Sequence, residues 1–155
     1  MILHVTDRKY LNVFADIYNS ANELFAENER GTATADIFES QLINDENYID
    51  VREDGSIDGF MSFRTYGKYY EITSLYIRRE CQRKGTGYKL LSHFERQLGN
   101  GGVIFVKVLK NAPWSLNFYK KNGYVPVDTE VGKAAKALNI TEKAWSVVLY
   151  KDMAR

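Results

Sequence analysis

Apolar residues in this chain fall into short continuous runs separated by longer stretches in which they recur at helical spacing. The short runs, rich in Val, Ile, Phe and Tyr, predict strands, and the longer stretches predict amphipathic helices. The predicted strands are Ile2–Val5, Tyr48–Val51, Ile57–Thr65, Glu71–Ile77, Val103–Val108 and Trp145–Tyr150. Helices are predicted over residues 7–25, over 34–43, from near Gly85, from Pro113 towards Gly123, and around 133–138.

Turn and breaker residues set the limits of these elements. The Glu53–Ser56 segment predicts a hairpin turn, and Pro113 and Gly123 fit the first turn and the end of one short helix. Residues 7–25 predict either one helix or two with a break around Asn19 and Ser20, and Pro126 predicts a sheet edge or a bulge. The order of elements predicts an α+β protein with a mixed, mainly antiparallel sheet.

The strand at Glu71–Ile77 leads into a basic, glycine-containing turn and then into an amphipathic helix. Leu90, Leu91, Phe94 and Leu98 recur at helical spacing after the turn. The first N–H groups of a helix have no intrahelical partner, and the helix dipole places roughly half a positive charge there. Glycines allow an anion to approach the backbone, so this segment predicts a phosphate-binding site.

The spacing within the turn excludes two common phosphate motifs. A dinucleotide-binding G-x-G-x-x-G would need glycine at Leu90, and a Walker A motif would need lysine at Tyr88. What remains, Gln82-x-x-Gly85-x-Gly87 after a strand, resembles the Q/R-x-x-G-x-G/A signature of the GNAT acetyltransferase superfamily. In that family the loop binds the coenzyme A pyrophosphate. The resemblance implies cofactor contacts from Leu75, Tyr76, Ile77, Gln82, Arg83, Lys84, Gly85, Thr86, Gly87 and Tyr88.

A second segment resembles a later motif of the same family. Asn111 follows the Val103–Val108 strand, Ser115 takes a small-residue position, Phe118–Tyr119 is an apolar-Tyr pair, and Gly123–Tyr124 leads into the next strand. The resemblance implies cofactor contacts from Asn111, Ser115 and Tyr119. Because Asn111 lies one residue further from Tyr119 than is usual, Asn117 is an alternative to it. The bulky Trp114 departs from the pattern, and a packing or capping role suits it better.

This resemblance implies the GNAT (acyl-CoA N-acyltransferase) fold, with about seven strands and about four helices in a single domain over residues 1–155. In that fold the fourth strand pairs through its backbone with the pantetheine arm of the cofactor. Leu75–Ile77 would provide those main-chain groups here. One of their N–H groups would stabilise the oxyanion that forms when the thioester is attacked.

Acetyl transfer to an amine also needs a base and an acid. Glu71, which precedes the cofactor segment on the same strand, is the best-placed carboxylate, although it could equally be exposed and paired with Lys68. Whether Glu71 or a water chain is the base stays open. Tyr119 would protonate the departing thiolate, and core packing is the alternative role for it.

Composition limits the other possibilities. A chain of 155 residues with 45% hydrophobic residues can bury the core of one domain. A net charge of +1, from 21 basic and 20 acidic residues, gives no positive electrostatic potential that would attract nucleic acid. The chain has one cysteine, Cys81, and two histidines, which provide neither a disulfide framework nor a zinc-site cluster. Cys81 is expected to be an ordinary buried or surface thiol. No apolar segment suits a signal peptide or a membrane span, so a cytoplasmic protein without a membrane partner is expected.

The leading hypothesis is an acetyl-CoA-dependent N-acetyltransferase that acts on a primary amine of a small molecule or peptide, by direct attack in a ternary complex. Acidic residues in the first helix-to-helix loop, Glu23, Glu27 and Glu29 beside Arg30, favour a cationic acceptor. A noncatalytic acyl-CoA-binding or sensing module is the alternative, and a nucleotide-phosphate or RNA binder is disfavoured. The identity of the amine, the acyl chain preference and the oligomeric state stay open, and a homodimer is compatible with the sequence.

Overall fold

The structure is a computed structural model, and it describes residues 1–27 and 31–154. Within these residues seven strands form a mixed sheet in the order β1-β2-β3-β4-β5-β7-β6. The strands are β1 (Ile2–His4), β2 (Glu46–Val51), β3 (Ile57–Tyr66), β4 (Tyr69–Ile77), β5 (Val103–Leu109), β6 (Val125–Pro126) and β7 (Ser146–Asp152). The α-helices are α1 (Leu11–Ala21), α2 (Glu39–Asn44), α3 (Thr86–Leu98), α4 (Pro113–Lys121) and α5 (Thr129–Ala137).

The α+β class and the GNAT arrangement of strands and helices are confirmed. The β4 and β5 strands run parallel, whereas the pairs β1–β2, β2–β3, β5–β7 and β6–β7 are antiparallel. Pro126 lies in the edge strand β6, as its missing N–H requires. Among the described residues, no helix is both long and apolar enough to cross a membrane.

Of the two alternatives for the first helical segment, the structure has no break at Asn19 and Ser20, because α1 continues through both residues to Ala21. Both side chains bond to the backbone of distant segments. Asn19 Nδ2 donates to the Ala33 carbonyl at 2.9 Å and its Oδ1 accepts from the Ala33 N–H at 2.8 Å. Ser20 Oγ accepts from the Arg79 N–H at 2.9 Å. Tertiary partners therefore use the polar groups that would otherwise compete with the helix.

Two other helices differ from prediction at their ends. The segment predicted as a helix from Thr34 begins as a 3₁₀ turn, Ala35–Phe38, before α2. The last helix begins earlier than predicted, because Asp128 caps it by accepting a hydrogen bond from the Val131 N–H at 2.7 Å. Both differences lie at helix ends, where local signals are weakest.

The chain divides into two compact units. The first unit comprises the described parts of Met1–Arg64 and Ser74–Gln97, and the second comprises Thr65–Thr73 and the described chain from Leu98 onward. The core of the first unit stacks Phe14 on Phe60 with ring centroids 4.3 Å apart. The core of the second unit is built on Phe105, Ala135, Ile140 and Val148, which joins α5 to β5 and β7.

Candidate active site

The loop from Gln82 to Gly87 joins the end of β4 to the start of α3 in the first unit. Arg83 and Gly85 both have positive φ, 62° and 84°. This left-handed backbone is rare for a residue with a side chain and natural for glycine. Among the described residues, no atom outside the adjacent chain lies within 4 Å of where a Cβ on Gly85 would be. The loop therefore leaves open space at Gly85, next to a helix N-terminus, where a pyrophosphate can approach the backbone.

The side chain of Gln82 fixes this loop to the strand before it. Its Nε2 donates to the Ile77 carbonyl at 3.0 Å, and the residue is half-buried. The backbone hydrogen bond from the Lys89 N–H to the Gly85 carbonyl, 2.9 Å, closes the first turn of α3. Gln82 thus has a local structural role that accounts for its place in the motif.

The predicted cofactor residues of the loop differ in exposure. Arg83, Lys84 and Tyr88 are exposed, whereas Thr86 is buried. The two cations can meet a ligand from solvent, and the free helix N–H groups add to their field. The buried Thr86 side chain instead lies next to β3, with its methyl group close to Gly59.

Gly59 on β3 is a residue that the sequence analysis missed. A Cβ there would lie 2.5 Å from Ile77 Cδ1, 2.9 Å from the Tyr76 carbonyl and 3.4 Å from Thr86 Cγ2. The missing side chain lets β4 and the start of α3 approach β3 closely. A glycine inside a strand pattern is the sequence signal for such an approach, and it could have identified this position.

The segment Leu75–Ile77 forms the last part of β4. The parallel register of β4 with β5 runs from the pair Tyr69–Val103 to the pair Ile72–Val106, and β4 continues beyond it for five residues. The Tyr76 side chain packs against Tyr18 with ring centroids 4.9 Å apart, and burial raises its pKa. Tyr76 therefore anchors the strand, and its contribution to a ligand would come from the main chain.

Cys81, directly before the loop, belongs to a hydrogen-bonded cluster. Its Sγ accepts from Arg52 Nη2 at 3.1 Å and donates to Asp58 Oδ1 at 3.3 Å. Burial raises the pKa of the Cys81 thiol, and the bond to Asp58 raises it further. Burial disfavours the charged form of Asp58, but the hydrogen bonds from Arg52 and Cys81 outweigh it and lower the pKa of that carboxyl. Of the two expected environments, buried or surface, the structure has the buried one for Cys81.

The α4 helix of the second unit carries the other predicted contacts. Tyr119 is 5% exposed and its ring lies edge-on to those of Phe118 and Tyr124, at 5.2 Å and 5.4 Å between centroids. Ser115, one turn earlier, lies on the same face of the helix as Tyr119. Asn117 is exposed, and helix geometry places it about 200° round from Ser115. Asn111 lies in the exposed turn before α4. The helix therefore groups Ser115 with Tyr119 and directs Asn117 elsewhere.

Glu71 lies on β4 within the second unit and is half-buried. Tyr66 donates its hydroxyl proton to Glu71 Oε1 at 3.3 Å. A carboxylate is a residue type that can take a proton from an amine, so the role of Glu71 as general base stays a prediction.

The sequence model of the Acetyltransferase (GNAT) family matches residues 14–124. The chain belongs to the GNAT acetyltransferase family. The matched range includes β4, the Gln82–Gly87 loop, α3 and α4. No curated protein sequence matches the chain significantly.

Solved GNAT structures share the fold at low sequence identity. The ribosomal-protein-S18-alanine N-acetyltransferase from Escherichia coli is 13% identical with a TM-score of 0.76, over 100% of this chain and 94% of that one. The ribosomal-protein-alanine N-acetyltransferase from Brucella melitensis is 18% identical with a TM-score of 0.66, over 98% and 99%. The PaiA N-acetyltransferase from Thermoplasma acidophilum, in complex with coenzyme A, is 13% identical with a TM-score of 0.69, over 98% and 99%.

The acidic loop of this GNAT chain is only partly described. Glu23 lies in a 3₁₀ turn, Asn22–Leu24, and pairs with Arg79 at 3.5 Å between Oε2 and Nη1. Glu27 is exposed. Glu29 and Arg30 lie outside the described residues. The first of the predicted acidic side chains is thus already engaged with a cation of its own chain.

Proposed function

We propose that this GNAT protein transfers an acetyl group from acetyl-CoA to a primary amine, by direct attack in a ternary complex. The observation that carries the proposal is the Gln82–Gly87 loop, with its left-handed Arg83 and Gly85 and its open space at the start of α3. Family membership supports acetyltransferase activity, and a neighbour with the same fold binds coenzyme A.

The cofactor would be held mainly by main-chain groups. The loop N–H groups, with Arg83 and Lys84, would bind the pyrophosphate, and the backbone of Leu75–Ile77 would bind the pantetheine arm. Asn111, Ser115 and Asn117 remain proposed contacts from the second unit. Acetyl-CoA supplies the activated acetyl group, and a backbone N–H in Leu75–Ile77 stabilises the negative charge that the thioester oxygen gains.

The side chains would move the protons. The amine nitrogen forms a bond to the acetyl carbon while the bond from that carbon to sulfur breaks. Glu71, directly or through a water, takes the proton that the nitrogen must lose, and Tyr119 gives its hydroxyl proton to the thiolate. Glu71 then releases its proton to solvent and the tyrosinate regains one from solvent, so charge and atoms balance.

The acceptor class is proposed as a cationic small molecule or a peptide amine. Exposed Glu27 supports a cationic acceptor. Two neighbours of the same fold are named as acetylating alanine of a ribosomal protein. A peptide with an N-terminal alanine therefore belongs in any panel of candidate acceptors, together with polyamines, aminoglycosides and lysine peptides.

The test is release of the coenzyme A thiol from acetyl-CoA against that panel, with mass spectrometry of the acetylated product. We expect turnover on at least one amine, with a rate that depends on both substrates. Saturable binding of acetyl-CoA in calorimetry without turnover on any amine would favour a noncatalytic acyl-CoA-binding module. Absence of acetyl-CoA binding would contradict both functions.

A further inference from the structure

Two carboxylates on neighbouring strands of the first unit contact the two ends of the Gln82–Gly87 loop. At the entry to the loop, Asp58 on β3 accepts a hydrogen bond from Cys81 Sγ at 3.3 Å. At the exit, Asp50 Oδ2 on β2 lies 3.0 Å from Lys89 Nζ. All of these residues belong to the first unit. The loop is therefore connected to the sheet on both sides, although the two aspartates lie far from it in the sequence.

Asp50 is a buried carboxylate that depends on cations. The residue is 3% exposed, its Oδ1 lies 3.2 Å from the amine of Met1, and its Oδ2 faces Lys89. Oδ2 makes no hydrogen bond of normal geometry with any described residue. A charge buried in this way is costly unless an opposite charge compensates it. For Oδ2 that compensation comes from the Lys89 ammonium.

Lys89 connects this carboxylate to the first turn of α3. Its main-chain N–H donates to the Gly85 carbonyl at 2.9 Å, whereas its side chain extends to Asp50 on β2. The N–H groups that a helix leaves free for an anion lie in that same first turn. One residue thus joins the buried carboxylate to the backbone that is proposed to bind the pyrophosphate.

The environment of Lys89 differs from that of the two cations within the loop. Arg83 and Lys84 are exposed, and neither forms an ion pair with any residue that the structure describes. Their charges can meet a ligand directly. The Lys89 ammonium is already paired with Asp50, so its contribution to the site is to hold the helix rather than to supply a free charge.

We propose that Asp50, acting through Lys89, positions the first turn of α3 for the pyrophosphate of acetyl-CoA. This inference rests on the proposed function and deepens its cofactor site. Asp50 and Lys89 are then positioning residues. A turn that is fixed before the ligand arrives loses less conformational freedom on binding, so breaking the pair weakens cofactor affinity.

The experiment uses three variants of the pair and one matched control. Lys89→Met removes the ammonium and keeps the aliphatic stem, Lys89→Arg keeps a cation, and Asp50→Asn removes the carboxylate charge. The control is Arg64→Met, because Arg64 Nε lies 2.7 Å from Asp45 Oδ1, whose side chain is 1% exposed. That pair is also a buried carboxylate with a partly exposed cation, and Arg64 lies near the opposite end of β3 from Asp58.

Three measurements are made on each variant. Calorimetry gives the acetyl-CoA affinity, denaturant unfolding gives the stability, and amide hydrogen exchange of the unliganded protein reports how often the first turn of α3 opens. The exchange measurement needs no cofactor. It therefore separates a residue that positions the turn from one that touches the ligand.

We expect Lys89→Met to weaken acetyl-CoA binding about fivefold and to speed amide exchange in the first turn of α3. Lys89→Arg should restore both towards the wild type. Asp50→Asn should weaken binding by less, about threefold, because it also removes a negative charge that opposes the pyrophosphate. Adding Lys89→Met to Asp50→Asn should have no further effect, because the pair is already broken. Arg64→Met should lose stability and keep the wild-type affinity and exchange in α3.

The possible outcomes separate this inference from the proposed function. Wild-type affinity in folded Lys89→Met would overturn the positioning role. Weaker binding with unchanged exchange, or a further loss when Lys89→Met is added to Asp50→Asn, would overturn it in favour of direct contact with the cofactor. Equal loss of affinity in Arg64→Met would overturn it in favour of general stability. If Asp50→Asn does not fold, the affinity and exchange of Lys89→Met decide.

Failure of the wild type to bind acetyl-CoA would be a failure of the proposed function, and the inference would fall with it. Binding of acetyl-CoA without turnover on any amine would contradict the transferase alone, because the loop and its positioning pair would still serve a cofactor.

Discussion

The two compact units contain different kinds of group for which a role is proposed. The first unit contains the main-chain N–H groups of Leu75–Ile77 and of the Gln82–Gly87 loop, whereas the second contains the side chains of Glu71 and Tyr119. A main-chain group survives most side-chain replacements but depends on local φ, while a side-chain group is lost with one substitution. We therefore expect changes in the first unit to act on cofactor affinity and changes in the second to act on kcat.

The largest effect is expected from Tyr119→Phe. Losing the hydroxyl proton should lower kcat about 10²-fold, the lower end for general acid catalysis, with little change in acetyl-CoA affinity. Steady-state kinetics at saturating substrates, together with calorimetry, measures both quantities.

Tyr124→Phe is the matched control for that change. Tyr124 is also buried, and its ring contacts that of Tyr119. Equal kcat values for wild type and Tyr119→Phe would assign Tyr119 to packing, and equal losses in both variants would attribute the effect to the ring cluster.

The next effect is expected from Glu71→Gln, which keeps shape but removes the proton acceptor. At neutral pH we expect kcat to fall about tenfold, less than for Tyr119 because water can partly replace the base. The loss should shrink as pH rises towards the amine pKa, about 10.4 for a lysine-like amine, since the neutral amine then forms without help.

The decisive measurement is the full pH–rate profile of wild type and Glu71→Gln on one amine. Tyr66→Phe is a useful companion, because it removes the hydroxyl that donates to Glu71 and leaves the carboxylate in place. A Glu71→Gln profile that overlies the wild type would show that another group is the base.

A change in the first unit should affect acetyl-CoA binding rather than kcat. Gly85→Val should weaken acetyl-CoA binding at least tenfold, about 1.4 kcal/mol, because the loop must leave its left-handed geometry and the side chain would fill the open space. Calorimetry measures the affinity, and kcat at saturation should be largely retained.

Gly55→Val is the control for backbone strain. Gly55, in the hairpin turn, has a φ of 88°, and no described atom beyond the adjacent chain lies within 4 Å of where its Cβ would be. Gly55→Val should therefore lose stability, as Gly85→Val does, but keep the wild-type affinity for acetyl-CoA. Unchanged affinity in folded Gly85→Val would contradict the loop assignment.

The smallest effect on function is expected from Gly59→Ala. The added methyl would press on Ile77 and the Tyr76 carbonyl, so we expect a stability loss of about 1–3 kcal/mol. Acetyl-CoA affinity should fall about threefold as the end of β4 shifts. Denaturant unfolding measures the loss of stability, and calorimetry measures the acetyl-CoA affinity. Wild-type stability and affinity in Gly59→Ala would contradict the prediction, because they would mean that β3 and β4 can move apart without cost.

Local signals predicted the parts of the molecule that local chemistry determines. The hairpin turn, the start of α3 after Gly85 and the end of α4 before Gly123 all depend on residues adjacent in the chain, and the structure has each of them. Local signals could not decide whether the first helix breaks at Asn19 and Ser20, because those side chains bond to Ala33 and Arg79, which are remote in sequence.

The candidate site also has parts that the sequence could predict and parts that it could not. The Gln82–Gly87 motif and the α4 motif could be identified from short segments. The link from Ser74 to Gln41 and the close approach at Gly59 join segments that only the tertiary structure brings together. No periodicity marks Ser74 as different from any other polar strand residue, so its partner Gln41 could not be identified from the sequence.

The state of Cys81 has a practical consequence for measuring catalysis. The chain has one cysteine, and that thiol is 2% exposed and has a raised pKa, with its proton directed at Asp58. Disulfide reagents react with accessible thiolates, so Cys81 of the native protein should not react with them. A colorimetric reagent added during turnover would then count only newly liberated coenzyme A, and a rising blank without acetyl-CoA would report unfolding of the protein itself.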